Sequence, residues 1–63
     1  MNAYGVETAH GAPITTVYAH DVDGARRRAR EVLDRPGRRS LLRQWQAAGE
    51  PVRDKSTNQV YTQ

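Results

Sequence analysis

The chain contains no cysteine and no phenylalanine, and only two of its 63 residues are histidine. The absence of cysteine excludes disulfide scaffolds, thiolate metal sites and cysteine nucleophiles. Two histidines without cysteine partners leave few ligands for a metal centre, so we expect no metal site. The sequence also carries no glycine-rich phosphate loop and no nucleophile motif. We therefore expect neither enzymatic activity nor a bound cofactor.

Large aliphatic side chains are scarce as well. Val, Ile and Leu number ten in all, about 16% of the chain, which is below the roughly 20% at which globular packing becomes doubtful. A domain of about 60 residues buries only about 60% of its unfolded surface, so its core is thin even at average composition. The length predicts one small domain over residues 1–63. We expect it to gain stability from a second copy of itself or from another partner.

Long apolar runs are also missing. No segment approaches the roughly 20 apolar residues that a membrane span needs, and the first residues do not resemble a signal peptide. We therefore expect a cytoplasmic protein with no membrane partner. Nine of the ten basic residues are arginine, and alanine is frequent, which is typical of GC-rich coding DNA. A short basic chain of this composition favours an accessory protein of a bacteriophage or mobile element.

The charge is concentrated in the middle of the chain, whose formal net charge is +3. Residues 1–25 contain three acidic residues and no Lys or Arg. Residues 26–43 contain eight arginines against Glu31 and Asp34, and residues 44–63 are balanced. A basic segment of this density indicates a possible contact with nucleic acid.

Local patterns predict an α+β domain that begins with a β-hairpin. Residues 3–8 alternate loosely between apolar and polar side chains, and residues 14–20 are rich in β-branched and aromatic ones. Gly11-Ala12-Pro13 lies between them and is a turn signal. Residues 52–63 are mostly polar, and they predict either a second short hairpin or a flexible, frayed tail.

Two short amphipathic helices are predicted between these segments. The first runs from Val22 to Asp34 with Asp21 as its N-cap, and Pro36-Gly37 ends it. Its apolar stripe consists of Val22, Ala25, Ala29, Val32 and Leu33. The second runs from Arg38 to Ala48, has the stripe Leu41, Leu42, Trp45 and Ala48, and ends at Gly49. The short turn between them predicts an αα-hairpin.

The arginines of the first helix favour a solvated surface. Three i,i+4 ion pairs are expected there: Asp23–Arg27, Arg27–Glu31 and Arg30–Asp34. Such exposed pairs are weak, and they leave those arginines without a binding role.

The second helix is more suggestive of DNA. Arg39, Arg43 and Gln46 share one face, opposite the apolar stripe, with no acidic partner on that helix. Arg and Gln are side chains that form paired hydrogen bonds with base edges in the major groove. Arg35 and Arg38 flank the helix N-terminus, which itself favours a phosphate group. These five residues are the predicted nucleic-acid contacts.

A protein partner is the alternative hypothesis. Tyr4, Tyr18 and Tyr61 belong to a residue type that is enriched at interface hot spots. Trp45 is also of such a type, but its place in the apolar stripe favours a core role. The sequence thus predicts a small non-enzymatic regulator that binds double-stranded DNA and forms a homo-oligomer such as a homodimer. The alternative is an accessory factor or inhibitor that acts on a host protein.

Overall fold

The computed structural model describes every residue from Met1 to Gln63, in four strands and two helices. In chain order these are β1 (Asn2–Glu7), β2 (Pro13–Ala19), α1 (Val22–Leu33), α2 (Arg39–Ala47), β3 (Val52–Asp54) and β4 (Val60–Tyr61). The predicted α+β class and the order of its elements are therefore confirmed. The bounds of the first four elements differ from the predicted ones by no more than one residue at either end.

All four strands belong to one antiparallel sheet, in the order β2-β1-β3-β4. The N-terminal strand β1 lies in its interior, where Tyr4 stands opposite Val17 on β2 and opposite Asp54 on β3. The C-terminal segment is a short hairpin, the first of the two predicted possibilities. Its pairing with β1 was not visible in the sequence, because pairing between distant strands depends on packing more than on local propensity.

The helices cover one face of the sheet, and the core lies between the two layers. Nine buried apolar residues form it: Tyr4, Val6, Val17, Ala19, Ala25, Ala29, Leu33, Trp45 and Val52. The strand residues among them alternate along β1 and β2, as a sheet with one covered face requires. The alanines of α1 lack bulk, which allows this helix to approach the sheet closely.

Helix α1 has the expected signals at both ends. The carboxylate of Asp21 accepts a hydrogen bond of 2.7 Å from the backbone N–H of Gly24, and Asp23 lies in the first turn. The Asp21 bond satisfies one of the unpaired N–H groups at the helix start, and the negative charges of both residues stabilise the positive end of the helix dipole. The predicted stripe is confirmed, since Ala25, Ala29 and Leu33 are fully buried.

Helix α2 contributes less to the core than its stripe predicts. Only Trp45 is fully buried, whereas Leu42 is half-buried and Leu41 is 37% exposed. This helix is only nine residues long, and Trp45 is its one side chain that enters the core, with Leu42 packed against the core's edge. Gly49 follows the helix with a φ of 90°, as the C-cap prediction requires.

Candidate nucleic-acid interface

The residues predicted to contact nucleic acid lie along one turn and one helix. Arg35, Arg38, Arg39, Arg43 and Gln46 are all exposed. The first four are here called the basic cluster. The structure brings them together because α2 starts directly after the turn that holds Arg35 and Arg38.

The turn between the helices sets the position of Arg35. Gly37 has a φ of 86°, a left-handed conformation that glycine adopts without a steric cost. The backbone N–H of Arg38 donates a 2.9 Å hydrogen bond to the carbonyl of Arg35, which closes the turn. Arg39 and Arg43 are four residues apart on α2 and therefore share one face of that helix. No side chain caps the N-terminus of α2.

Most of the basic cluster has no ion pair. Within it, only Arg39 meets a carboxylate, that of Asp34, at 3.6 Å between side chains that are both more than 60% exposed. Such a pair contributes little, because water screens it and both side chains lose mobility on forming it. The cluster therefore keeps a net positive charge that faces solvent.

The arginines of α1 behave differently from the prediction. Three i,i+4 pairs were expected on this helix, and none of them forms: Asp23–Arg27, Arg27–Glu31 and Arg30–Asp34. Arg28 instead contacts Glu31 at 3.6 Å, and Arg30 reaches a carboxylate on another element. The prediction was wrong because Arg30 and Asp34 find partners outside α1, and Glu31 meets Arg28 in place of Arg27.

Arg26 and Arg30 both bind Glu50, which lies between α2 and β3. Nε and Nη2 of Arg30 donate hydrogen bonds of 2.7 and 2.6 Å to the two carboxylate oxygens of Glu50. Nε of Arg26, whose side chain is buried, donates to the backbone carbonyl of Glu50 at 3.2 Å. Glu50 itself is buried and has a φ of 51°. These contacts fasten α1 to the junction between α2 and β3, although the Arg30 side chain remains 43% exposed.

The electrostatics of Glu50 follow from these contacts. The hydrogen bonds from Arg30 hold the pKa of Glu50 below its ordinary value, against the opposing effect of burial. The positive charges of Arg30 and Arg26 and the nearby Gln46 side chain act in the same direction.

Trp45 is a core residue, as predicted. Its side chain is buried, and its indole N–H donates a 2.9 Å hydrogen bond to the carbonyl of Pro51. This bond fastens the end of α2 to the start of β3. It also satisfies the one polar group that a buried tryptophan carries.

The three tyrosines proposed as partner contacts differ in exposure. Tyr4 is only 3% exposed, which corrects its assignment to an interface: β1 is an interior strand and its covered face carries Tyr4 into the core. Tyr18 is 62% exposed and Tyr61 is 37% exposed. Only the latter two can meet a partner without a change in the fold.

The uncovered face of the sheet carries a second set of polar contacts that the sequence did not reveal. Arg53 donates a 2.7 Å hydrogen bond to the largely buried carboxylate of Glu7. Lys55 donates one of 2.8 Å to the hydroxyl of Thr16, and its side chain passes over Gly5. These residues are far apart in sequence, so only the strand order could have indicated their pairing.

No protein-family model matches this chain, and no curated protein or solved structure matches it either. Its function must therefore be inferred from its own residues. Neither helix has the length and apolar composition that crossing a bilayer requires. No group of three or more His, Asp and Glu side chains is arranged to hold a metal ion.

Proposed function

We propose that this protein is a small DNA-binding regulator without enzymatic activity, and that the basic cluster contacts the phosphate backbone. The observation that carries the proposal is the distribution of unpaired arginines. Arg26, Arg30 and Arg53 bind groups on other elements of the protein, and Arg28 meets Glu31 only in an exposed pair at 3.6 Å. Arg27 is the one unpaired arginine of α1, whereas three unpaired arginines, Arg35, Arg38 and Arg43, lie in the turn before α2 and on α2 itself.

The chemistry of this surface fits phosphate contacts better than base contacts. Phosphate oxygens accept hydrogen bonds from arginine without a demand on sequence, and such contacts dominate the affinity of basic proteins for DNA. Gln46 alone among the predicted contacts is of a type that pairs with adenine, and a single such residue gives little sequence preference. We therefore infer binding with little sequence preference through the turn and α2.

Titration of a fluorescently labelled random duplex, followed by anisotropy at low salt, tests this function. The variant R38E/R43E reverses two cluster charges on exposed side chains. It should bind more than tenfold more weakly than the wild type, since both phosphate contacts become repulsive. Circular dichroism should show an unchanged fold.

A matched control separates this surface from net charge. The single variants R43E and R27E make the same charge change on an exposed arginine, inside and outside the cluster respectively. R27E should retain more of the affinity of the wild type than R43E does. If the two single variants lose binding equally, net charge alone explains the loss and the assignment of the surface is wrong.

A protein-binding role is the second candidate function. It is favoured by Tyr18, a large aromatic side chain that is 62% exposed on an outer strand. Tyrosines at such positions are typical of interface hot spots. A wild-type protein that binds no duplex at low salt, and that retains one specific host protein through Tyr18, would support this function over DNA binding.

A further inference from the structure

The outer strand β2 presents unpaired backbone groups to solvent. The N–H of Glu7 donates to the carbonyl of Pro51, and the N–H of Lys55 donates to the carbonyl of Ala3. The backbone N–H and C=O groups of the odd-numbered residues of β1 therefore point towards β3. The backbone groups of the even-numbered residues of β1 point towards β2, where Tyr4 stands opposite Val17. Because hydrogen-bonding direction alternates along a strand, the N–H and C=O groups of Thr16 and Tyr18 point outward.

Most of this edge lacks the features that normally prevent edge pairing. β2 is seven residues long and contains no charged side chain. Its proline and the irregularity in its pairing with β1 both lie at its start, so Thr15 to Ala19 pair regularly. Natural proteins usually block such an edge with a charge, a bulge or a very short strand. The opposite edge is protected in this way, since β4 has two residues and the following segment folds back so that the N–H of Gln63 bonds the carbonyl of Gly49.

A groove of about 520 Å³ runs beside β2 on the helix side. Val17 and Tyr18 form one wall, and Arg28, Glu31 and Val32 of α1 form the other. Arg28 and Glu31 form an exposed pair at 3.6 Å, so the rim of the groove carries both signs of charge.

We propose that the β2 edge binds a second copy of this chain, with the two β2 strands antiparallel. A two-fold axis would join the two sheets into one continuous sheet and pair the outward groups of Thr16 and Tyr18 with those of the partner. The same axis makes the two α1 helices run in opposite directions. Arg28 of one copy therefore faces Glu31 of the other. An acidic peptide would instead place like charge against Glu31. The surface is thus complementary to itself, independently of any DNA contact.

Sedimentation velocity of the protein without DNA tests the proposal, over concentrations from about 5 to about 500 μM. The wild type should shift reversibly from monomer to dimer. The variant Y18P removes an outward N–H that β1 does not use, so it should fold and dimerise more than tenfold more weakly. A wild type that stays monomeric over the whole range would overturn the proposal, as would a folded Y18P that dimerises like the wild type.

Exchange of the rim charges gives a second test that leaves the strand unchanged. R28E places two glutamates on each rim and should weaken dimerisation severalfold. R28E/E31R restores both signs and should return the dissociation constant close to that of the wild type. Hydrogen exchange supplies the location: the amides of Thr16 and Tyr18 should gain protection as the concentration rises, and the amide of Val60 should not. Equal behaviour of all three amides would place the interface elsewhere.

Discussion

Arg30 on α1 and Glu50, twenty residues further along the chain, are joined by two hydrogen bonds of 2.6 and 2.7 Å. This pair divides the basic segment into two parts with different roles. Arg26 and Arg30 of α1 bind Glu50 and connect α1 to the junction between α2 and β3. The four arginines of the basic cluster lie on the surface, and only Arg39 has a carboxylate near enough to offset its charge. The density of arginine in the sequence therefore overstates the charge that is free to meet a ligand.

The first prediction concerns the stability of this junction. Replacement of Glu50 by Gln should lower the free energy of unfolding by about 2 kcal/mol, because hydrogen bonds to a charged group contribute about 1.5–3 kcal/mol. Urea unfolding at neutral pH measures the change. The control E31Q removes a carboxylate whose pair with Arg28 is exposed, and it should cost less than about 0.5 kcal/mol. Equal losses in the two variants would contradict the structural role of Glu50.

The same residue predicts a dependence of stability on pH. The pKa of Glu50 is lower in the folded protein than its ordinary value of 4.5, which applies to the unfolded chain. The folded state therefore gains stability from the charged carboxylate above that value and loses it as the pH falls through the lowered pKa. Unfolding at a series of pH values below 5 should show the wild type and E50Q approaching each other. A constant difference between them down to strongly acidic pH would show that Glu50 titrates normally.

Two glycines with similar backbone conformation should respond differently to alanine. Gly37 and Gly49 have φ values of 86° and 90°, so alanine at either position meets a left-handed cost of about 1–2 kcal/mol. A Cβ at Gly37 meets nothing within 4 Å, whereas at Gly49 it would lie 2.8 Å from the carbonyl oxygen of Gln63. G49A should therefore be the less stable variant, with a larger fall in melting temperature. Indistinguishable melting curves would mean that the Gln63 segment does not pack on Gly49.

Trp45 provides a test of the link between α2 and β3. W45F keeps an aromatic ring in the core but removes the indole N–H that bonds the carbonyl of Pro51. An unpaired buried carbonyl costs about 1–3 kcal/mol, and each kcal/mol lowers the melting temperature of a domain this small by about 4–8 °C. Calorimetry should thus show a clear fall in melting temperature. A shift within experimental error would show that water replaces the indole at Pro51.

The elements of the fold could be predicted, but their assembly could not. Local signals such as the Asp21 N-cap, the Pro36-Gly37 turn and the β-branched and aromatic residues of β2 depend only on neighbouring residues, and they located the helices and strands well. The pairing of β1 with β3 and the contact of Arg30 with Glu50 join segments that are distant in sequence. No periodicity encodes such contacts. The same limit applies to Tyr4, whose burial follows from the interior position of β1 and not from its residue type.

The candidate site was found because its residues are close in sequence. The basic cluster occupies one turn and the helix that follows, so the helical period alone places Arg39 and Arg43 on one surface. The sequence alone does not identify β2 as an edge, since the order of the whole sheet decides which strands lie at its edges.

The most direct test of DNA binding is the salt dependence of wild-type affinity for a random duplex. Four phosphate contacts per chain predict a slope of about −3.6 in a plot of log K against log salt, so affinity should fall on the order of 100-fold between about 50 and 200 mM salt. A slope of this size would show that the chain neutralises about four phosphates, the number that the basic cluster predicts. Absence of binding at the lower salt concentration would contradict the account and leave these arginines as solvated surface.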